Sequence, residues 1–115
     1  MVDYNDLLSI KEYMESKGVR FTGGRADIGN AKGWAILGGK TSLRVLEDAR
    51  DGINGIILFC YKDKEDCNRI CSNLKIDCYA NAASSDTTRP FKVQISPDKL
   101  DAAIDILLMN PLNKK

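Results

Sequence analysis

At 115 residues, 43% hydrophobic and 29% charged, the chain has the size and composition of one ordinary globular domain and of no disordered or fibrous class. It contains no histidine, which excludes Ser-His and Cys-His nucleophiles, imidazole proton shuttles and mixed His/Cys zinc sites. The net charge of +1 is evenly spread, eight basic and eight acidic residues before Leu58 and nine and eight after it. That leaves no basic stripe for strong non-specific binding to nucleic acid or anionic lipid.

Asp3 is placed to cap a first helix whose apolar face is Leu7, Ile10 and Met14 and which Gly18 stops. Val19 to Thr22 reads as a short strand, followed by a polar loop from Gly23-Gly24 to about Gly33. Trp34 to Leu37 is a second strand. Gly38-Gly39-Lys40-Thr41-Ser42 then reads as a glycine turn with hydroxyl caps, entering a helix through Leu43, Leu46 and Ala49 that ends at Gly52.

Gly55 to Tyr61 is continuously apolar, the pattern of a strand buried on both faces at the centre of a sheet. Cys67, Ile70, Cys71 and Leu74 recur at helical spacing, so Lys64 to Leu74 is an amphipathic helix. Ile76 to Ala82 reads as a strand, and Ala83 to Pro90 as a Ser/Thr/Asp loop. Phe91, Val93 and Ile95 alternate with Lys92 and Gln94 as a half-exposed strand does. Ser96-Pro97 opens the last helix, with Leu100, Ala103, Ile104, Leu107 and Leu108 on its apolar face and Asn110-Pro111 at its end.

The element order is therefore αββαβαββα, an α/β domain with a mixed sheet of about five strands, a central parallel βαβαβ segment, and helices packed on it. The whole of 1–115 is one domain, with 112–115 expected as a flexible tail. The longest apolar run, Ile56 to Tyr61, is far short of the roughly 18 to 20 residues of a membrane span. The acidic start, Met-Val-Asp-Tyr-Asn-Asp, lacks the basic and apolar regions of an export signal. A cytoplasmic protein with reduced thiols is expected.

In sheets with parallel strands, ligands bind beyond the carboxyl ends of those strands. Three loops meet that description: 38–42, 61–64 and 83–89. They offer Gly39, Lys40, Thr41, Ser42, Lys62, Ser84, Ser85, Asp86, Thr87, Thr88 and Arg89. Lysine, arginine and hydroxyl donors of this kind suit phosphate or carboxylate oxygens, and a helix starting near Ser42 adds unpaired N–H groups. Asp86 stands beside Arg89, where it accepts from a ligand or closes an Asx turn.

No nucleoside-triphosphate loop is present, because G-x-x-x-x-G-K-[ST] ending at Lys40-Thr41 requires glycine where Trp34 stands. The cysteines run C-x6-C-x3-C-x6-C, not the paired knuckles of a structural zinc site, and Cys67 and Cys71 fall on an apolar helical stripe. No catalytic constellation, metal or cofactor is expected. The reading is a non-enzymatic regulatory protein, a small inhibitor or adaptor that docks on a larger protein, with a homodimer and an origin on a mobile element compatible with it. The alternative is a binder of a phosphorylated small molecule or nucleotide at the three-loop edge.

Overall fold

The computed structural model describes residues 2–26, 33–47, 55–76 and 88–115. Helix α1, Leu7–Ser16, is capped by Asp6, whose side chain accepts from the Leu8 N–H. Asp3, the expected cap, instead closes the preceding turn by accepting from the Asn5 N–H. Strands β1 (Phe21–Gly24) and β2 (Ala35–Leu37) follow.

The stretch expected to be a helix is strand β3, Thr41–Glu47. Gly38 and Gly39 both have positive φ, 54° and 79°, and the Lys40 N–H donates to the Leu37 carbonyl at 3.0 Å. This is a tight hairpin turn with Gly38 and Gly39 at its two central positions, where glycine is favoured because both need the left-handed region. Once the turn reverses the chain, Leu43 and Val45 fall on one face and Ser42, Arg44 and Leu46 on the other. Three helically spaced apolar residues in the same stretch are thereby overridden.

Strand β4 (Gly55–Tyr61), helix α2 (Lys64–Leu74), strand β5 (Phe91–Ile95) and helix α3 (Leu100–Leu107) have the types their sequence patterns predict. Ser96-Pro97 enters α3 through a single 3-10 turn, Pro97–Lys99. The expected strand from Ile76 to Ala82 lies outside the described residues, apart from Ile76.

The five strands form one sheet in the order β1-β2-β3-β4-β5, every neighbouring pair antiparallel. Among the described residues the expected parallel segment is thus absent: β4 is an inner strand next to the β5 edge rather than the central one, and both its neighbours run against it. The parallel expectation depended on a crossover helix between β2 and β4, and a hairpin stands in its place. The resulting architecture is mixed α/β, with three α-helices and a five-stranded antiparallel sheet among the described residues.

One continuous core joins Leu7, Ile10 and Met14 of α1, Cys67, Ile70 and Cys71 of α2 and Leu100, Ala103, Ile104 and Leu107 of α3 to the inward residues of the sheet. Those inward residues are Ala35, Leu37, Leu43, Val45, Ile57, Phe59, Tyr61, Val93 and Ile95. Their alternation is the period of two that a sheet covered on one face imposes. Among the described residues no helix is long and apolar enough to cross a membrane.

Residues 112–115 lie against the start of the sheet. Lys114 bridges Val19, the Arg20 N–H donates to the Asn113 carbonyl at 2.8 Å, and the Lys115 N–H donates to the Gly18 carbonyl at 3.0 Å. The Asn113 side chain is buried and donates to the Leu107 carbonyl at 3.0 Å, tying this segment to the end of α3.

Candidate functional site

Antiparallel pairing brings the end of β2, the start of β3, the end of β4 and the start of β5 to one edge of the sheet. Leu37 pairs with Thr41, Ser42 with Cys60 and Tyr61 with Phe91. The turns after β2 and β4 therefore meet the residues before β5, though for a different topological reason from the parallel arrangement expected. The contact that joins them is Arg89 Nε donating to the Lys40 carbonyl at 2.8 Å.

Lys40, Lys62 and Thr88 are exposed on this edge and Arg89 is half-buried. Gly39 is exposed, and its N–H donates to Thr22 Oγ1 at 2.9 Å, so that backbone donor already has an acceptor. Ser84, Ser85, Asp86 and Thr87 lie outside the described residues.

Thr41 and Ser42 are separated by the strand that replaces the expected helix. Both are buried, but Thr41 points to the helix face and Ser42 to the opposite one. The helix N-terminus that was to supply anion-binding N–H groups near Ser42 does not exist. The N-terminus that is present, on α2, is filled by its own carboxylates: Asp63 accepts from the Glu65 N–H at 2.9 Å, and Glu65 and Asp66 occupy the first turn.

On the helix face, Thr41, Tyr61, Asp66, Arg69, Ile106 and Asn110 line a small cleft of about 20 Å³. That is room for a water molecule rather than a metabolite. Arg69 and Asp66 pair across its rim at 3.4 Å. Burial holds the Tyr61 hydroxyl protonated far above neutral pH. Burial, and then the nearby Cys60, push the Cys67 thiol up to about 11. Neither group is poised to act as a base or nucleophile at neutral pH.

Cys60 and Cys67 are reduced thiols, whereas Cys71 is disulfide-bonded, which corrects the expectation that all four cysteines stay reduced. Cys78 lies outside the described residues. Among the described residues no three His, Cys, Asp or Glu side chains gather as a metal site.

The face of the sheet away from the helices carries residues that the sequence patterns did not join. Arg44 lies over the Trp34 ring, its Cζ 5.9 Å from the centroid. Leu46 stands opposite Ile56, Arg44 opposite Leu58, and Leu58 opposite Gln94. Trp34, Ile36, Arg44, Ile56 and Gln94 are half-buried, and Leu46 is exposed. The signal that finds this face is the hairpin turn, since reading 41–47 as a strand puts Arg44 and Leu46 together. No family model, curated protein or solved structure matches the chain.

Proposed function

We propose that the chain is a non-enzymatic binding module, a small regulator or inhibitor that docks on a larger protein through the sheet face opposite its helices. The observation that carries the reading is the Trp34–Arg44 pair flanked by Leu46 and Ile56. Tryptophan and arginine are the side chains in which binding energy concentrates at protein interfaces, especially beside apolar neighbours that exclude water. The three helices shield the other face of the sheet, whereas Trp34, Arg44 and Leu46 keep part of this one in contact with solvent. A cytoplasmic setting belongs to the same reading.

The test is capture of a partner by the tagged chain, compared among wild type, Arg44→Glu, Leu46→Asp and, as a control on α3, Asp105→Lys. Retention by wild type and Asp105→Lys with loss in the other two supports the reading. Equal retention by all four removes it.

A second reading places a phosphate-bearing small molecule or nucleotide at the loop edge, supported by the contact that brings Arg89 against Lys40. Lys40→Ala and Arg89→Ala then each weaken binding of such a molecule without unfolding the protein. Unchanged affinity in both would discard it.

A further inference from the structure

The end of the sheet that starts with β1 carries charge of one sign. The stretches 18–26, 33–46 and 106–115 contain Arg20, Arg25, Lys40, Arg44, Lys114 and Lys115 and not one aspartate or glutamate. In β3 the first carboxylate residue is Glu47, at the end of the strand away from the hairpin turn. With 17 basic and 16 acidic residues in the whole chain, a region of this size without a carboxylate side chain is a clear local imbalance. No stripe marks it in the sequence, because the fold draws these cations from separate stretches.

Four of them converge at one corner. Lys114 bridges Val19, the Lys115 N–H donates to the Gly18 carbonyl at 3.0 Å, and the Arg20 N–H donates to the Asn113 carbonyl at 2.8 Å. The Gly38 N–H donates to the Arg20 carbonyl at 3.0 Å, which brings the turn that carries Lys40 to the same place. Arg20, Lys40, Lys114 and Lys115 are all exposed, and among the described residues none of them forms an ion pair. Leu112 stands among them, 45% exposed, its carbonyl accepting from Arg20 Nη1 at 3.2 Å. Like charges held together on a surface raise its potential and draw in a partner of opposite sign.

We infer that this corner docks an acidic segment of another protein, whose carboxylates meet Arg20, Lys40, Lys114 and Lys115 and whose apolar side chains cover Leu112. Nucleic acid suits the corner less well. Single strands bind by stacking bases on open aromatic faces, and Phe21, Tyr13 and Trp34 each have a cation of this chain over the ring, Lys11, Lys17 and Arg44 respectively. The inference rests on neither reading above and shares only Lys40 with the second.

The experiment is fluorescence anisotropy of a labelled peptide of about 12 residues in which glutamate alternates with leucine, a length that spans the corner when extended. Wild type is expected to bind it saturably at low ionic strength and at least about tenfold more weakly in about 0.3 M salt. Lys40→Glu combined with Lys114→Glu should weaken binding about tenfold or more, since each reversal turns an attraction into a repulsion. Lys64→Glu combined with Lys75→Glu, the same change of charge at the two ends of α2, should leave the affinity within about twofold of wild type, as should Arg44→Glu and Arg89→Ala. A peptide with glutamine in place of glutamate should not bind. No saturable binding by wild type overturns the inference, as does an equal loss in the two double variants. Tighter binding of an oligouridylate strand or of phosphatidylserine vesicles than of the peptide overturns the choice of partner.

Discussion

Asn113 packs so closely on Gly38 that a β-carbon added to the glycine would lie 2.4 Å from Asn113 Oδ1 and 2.6 Å from the Leu112 carbonyl oxygen. The hairpin turn between β2 and β3 is thereby clamped by the final 3-10 turn of the chain, Pro111–Asn113. Two demands coincide at Gly38, a positive φ and an absence of space. At Gly39 only the first applies, since nothing lies within 4 Å of its added β-carbon. Gly38→Ala is expected to lower stability by more than about 2 kcal/mol, and Gly39→Ala by only about 1 kcal/mol. Urea denaturation of the two variants checks the order.

The same clamp predicts the cost of losing the Asn113 side chain. Its amide donates to the Leu107 carbonyl in a buried position, so Asn113→Ala removes one of the two donors to that carbonyl and leaves the Asn110 N–H at 3.2 Å. A loss of about 0.5–1.5 kcal/mol is expected from the broken bond. Chemical denaturation measures it, and a change within error of wild type would show that water replaces the amide.

Cys67 gives the protein an alkaline limb. Its thiol is raised from 9.0 to about 11, chiefly by burial. A raised folded value favours the protonated form, so this contribution is complete below the unfolded value and is lost as pH rises through the interval up to about 11. Cys67→Ala is expected to flatten the fall in thermal midpoint over that interval. An unchanged slope would assign the limb to other groups.

The cysteines also predict a labelling pattern. Alkylation in denaturant without reductant should modify Cys60 and Cys67 and spare Cys71, and reduction should then expose Cys71. Peptide mass spectrometry reads the result directly.

Trp34 is the one tryptophan in the chain, so its emission reports on the proposed docking face. Partner binding should shift that emission to shorter wavelength as the half-exposed ring is enclosed, and Arg44→Glu should abolish the shift at matched concentrations. A shift that persists undiminished in Arg44→Glu would place the partner elsewhere.

The helical repeat of Cys67, Ile70, Cys71 and Leu74 and the apolar run from Gly55 to Tyr61 identify their elements because each pattern is local and has one period. The segment 41–47 is ambiguous by pattern. Leu43 and Leu46 suit a helix, while Leu43 and Val45 alternating with Arg44 suit a strand. The arbiter was present two residues upstream, where Gly38-Gly39 between two apolar runs is a hairpin signal. Reading it as a helix entry reversed the direction of β3 and created the false parallel segment. The meeting of Lys40 and Arg89 survived that error because both topologies bring the same chain ends to one edge. The facing of Leu46 with Ile56 and of Leu58 with Gln94 could not be read at all without the register of three strands, a long-range property that periodicity does not encode.

The sheet's spatial order repeats its order along the chain, and this bears on how quickly the protein acquires its structure. The closures from β1 to β2, from β2 to β3 and from β3 to β4 join immediate neighbours, and β2–β3 needs only three intervening residues, 38–40. Pairings of this kind lose little chain entropy before their contacts form, which favours rapid folding. The β4–β5 closure must instead draw together the two ends of the long interval 62–90. Forming α2 within that interval shortens the distance still to be searched, which makes helix formation there the event on which attachment of the last strand depends.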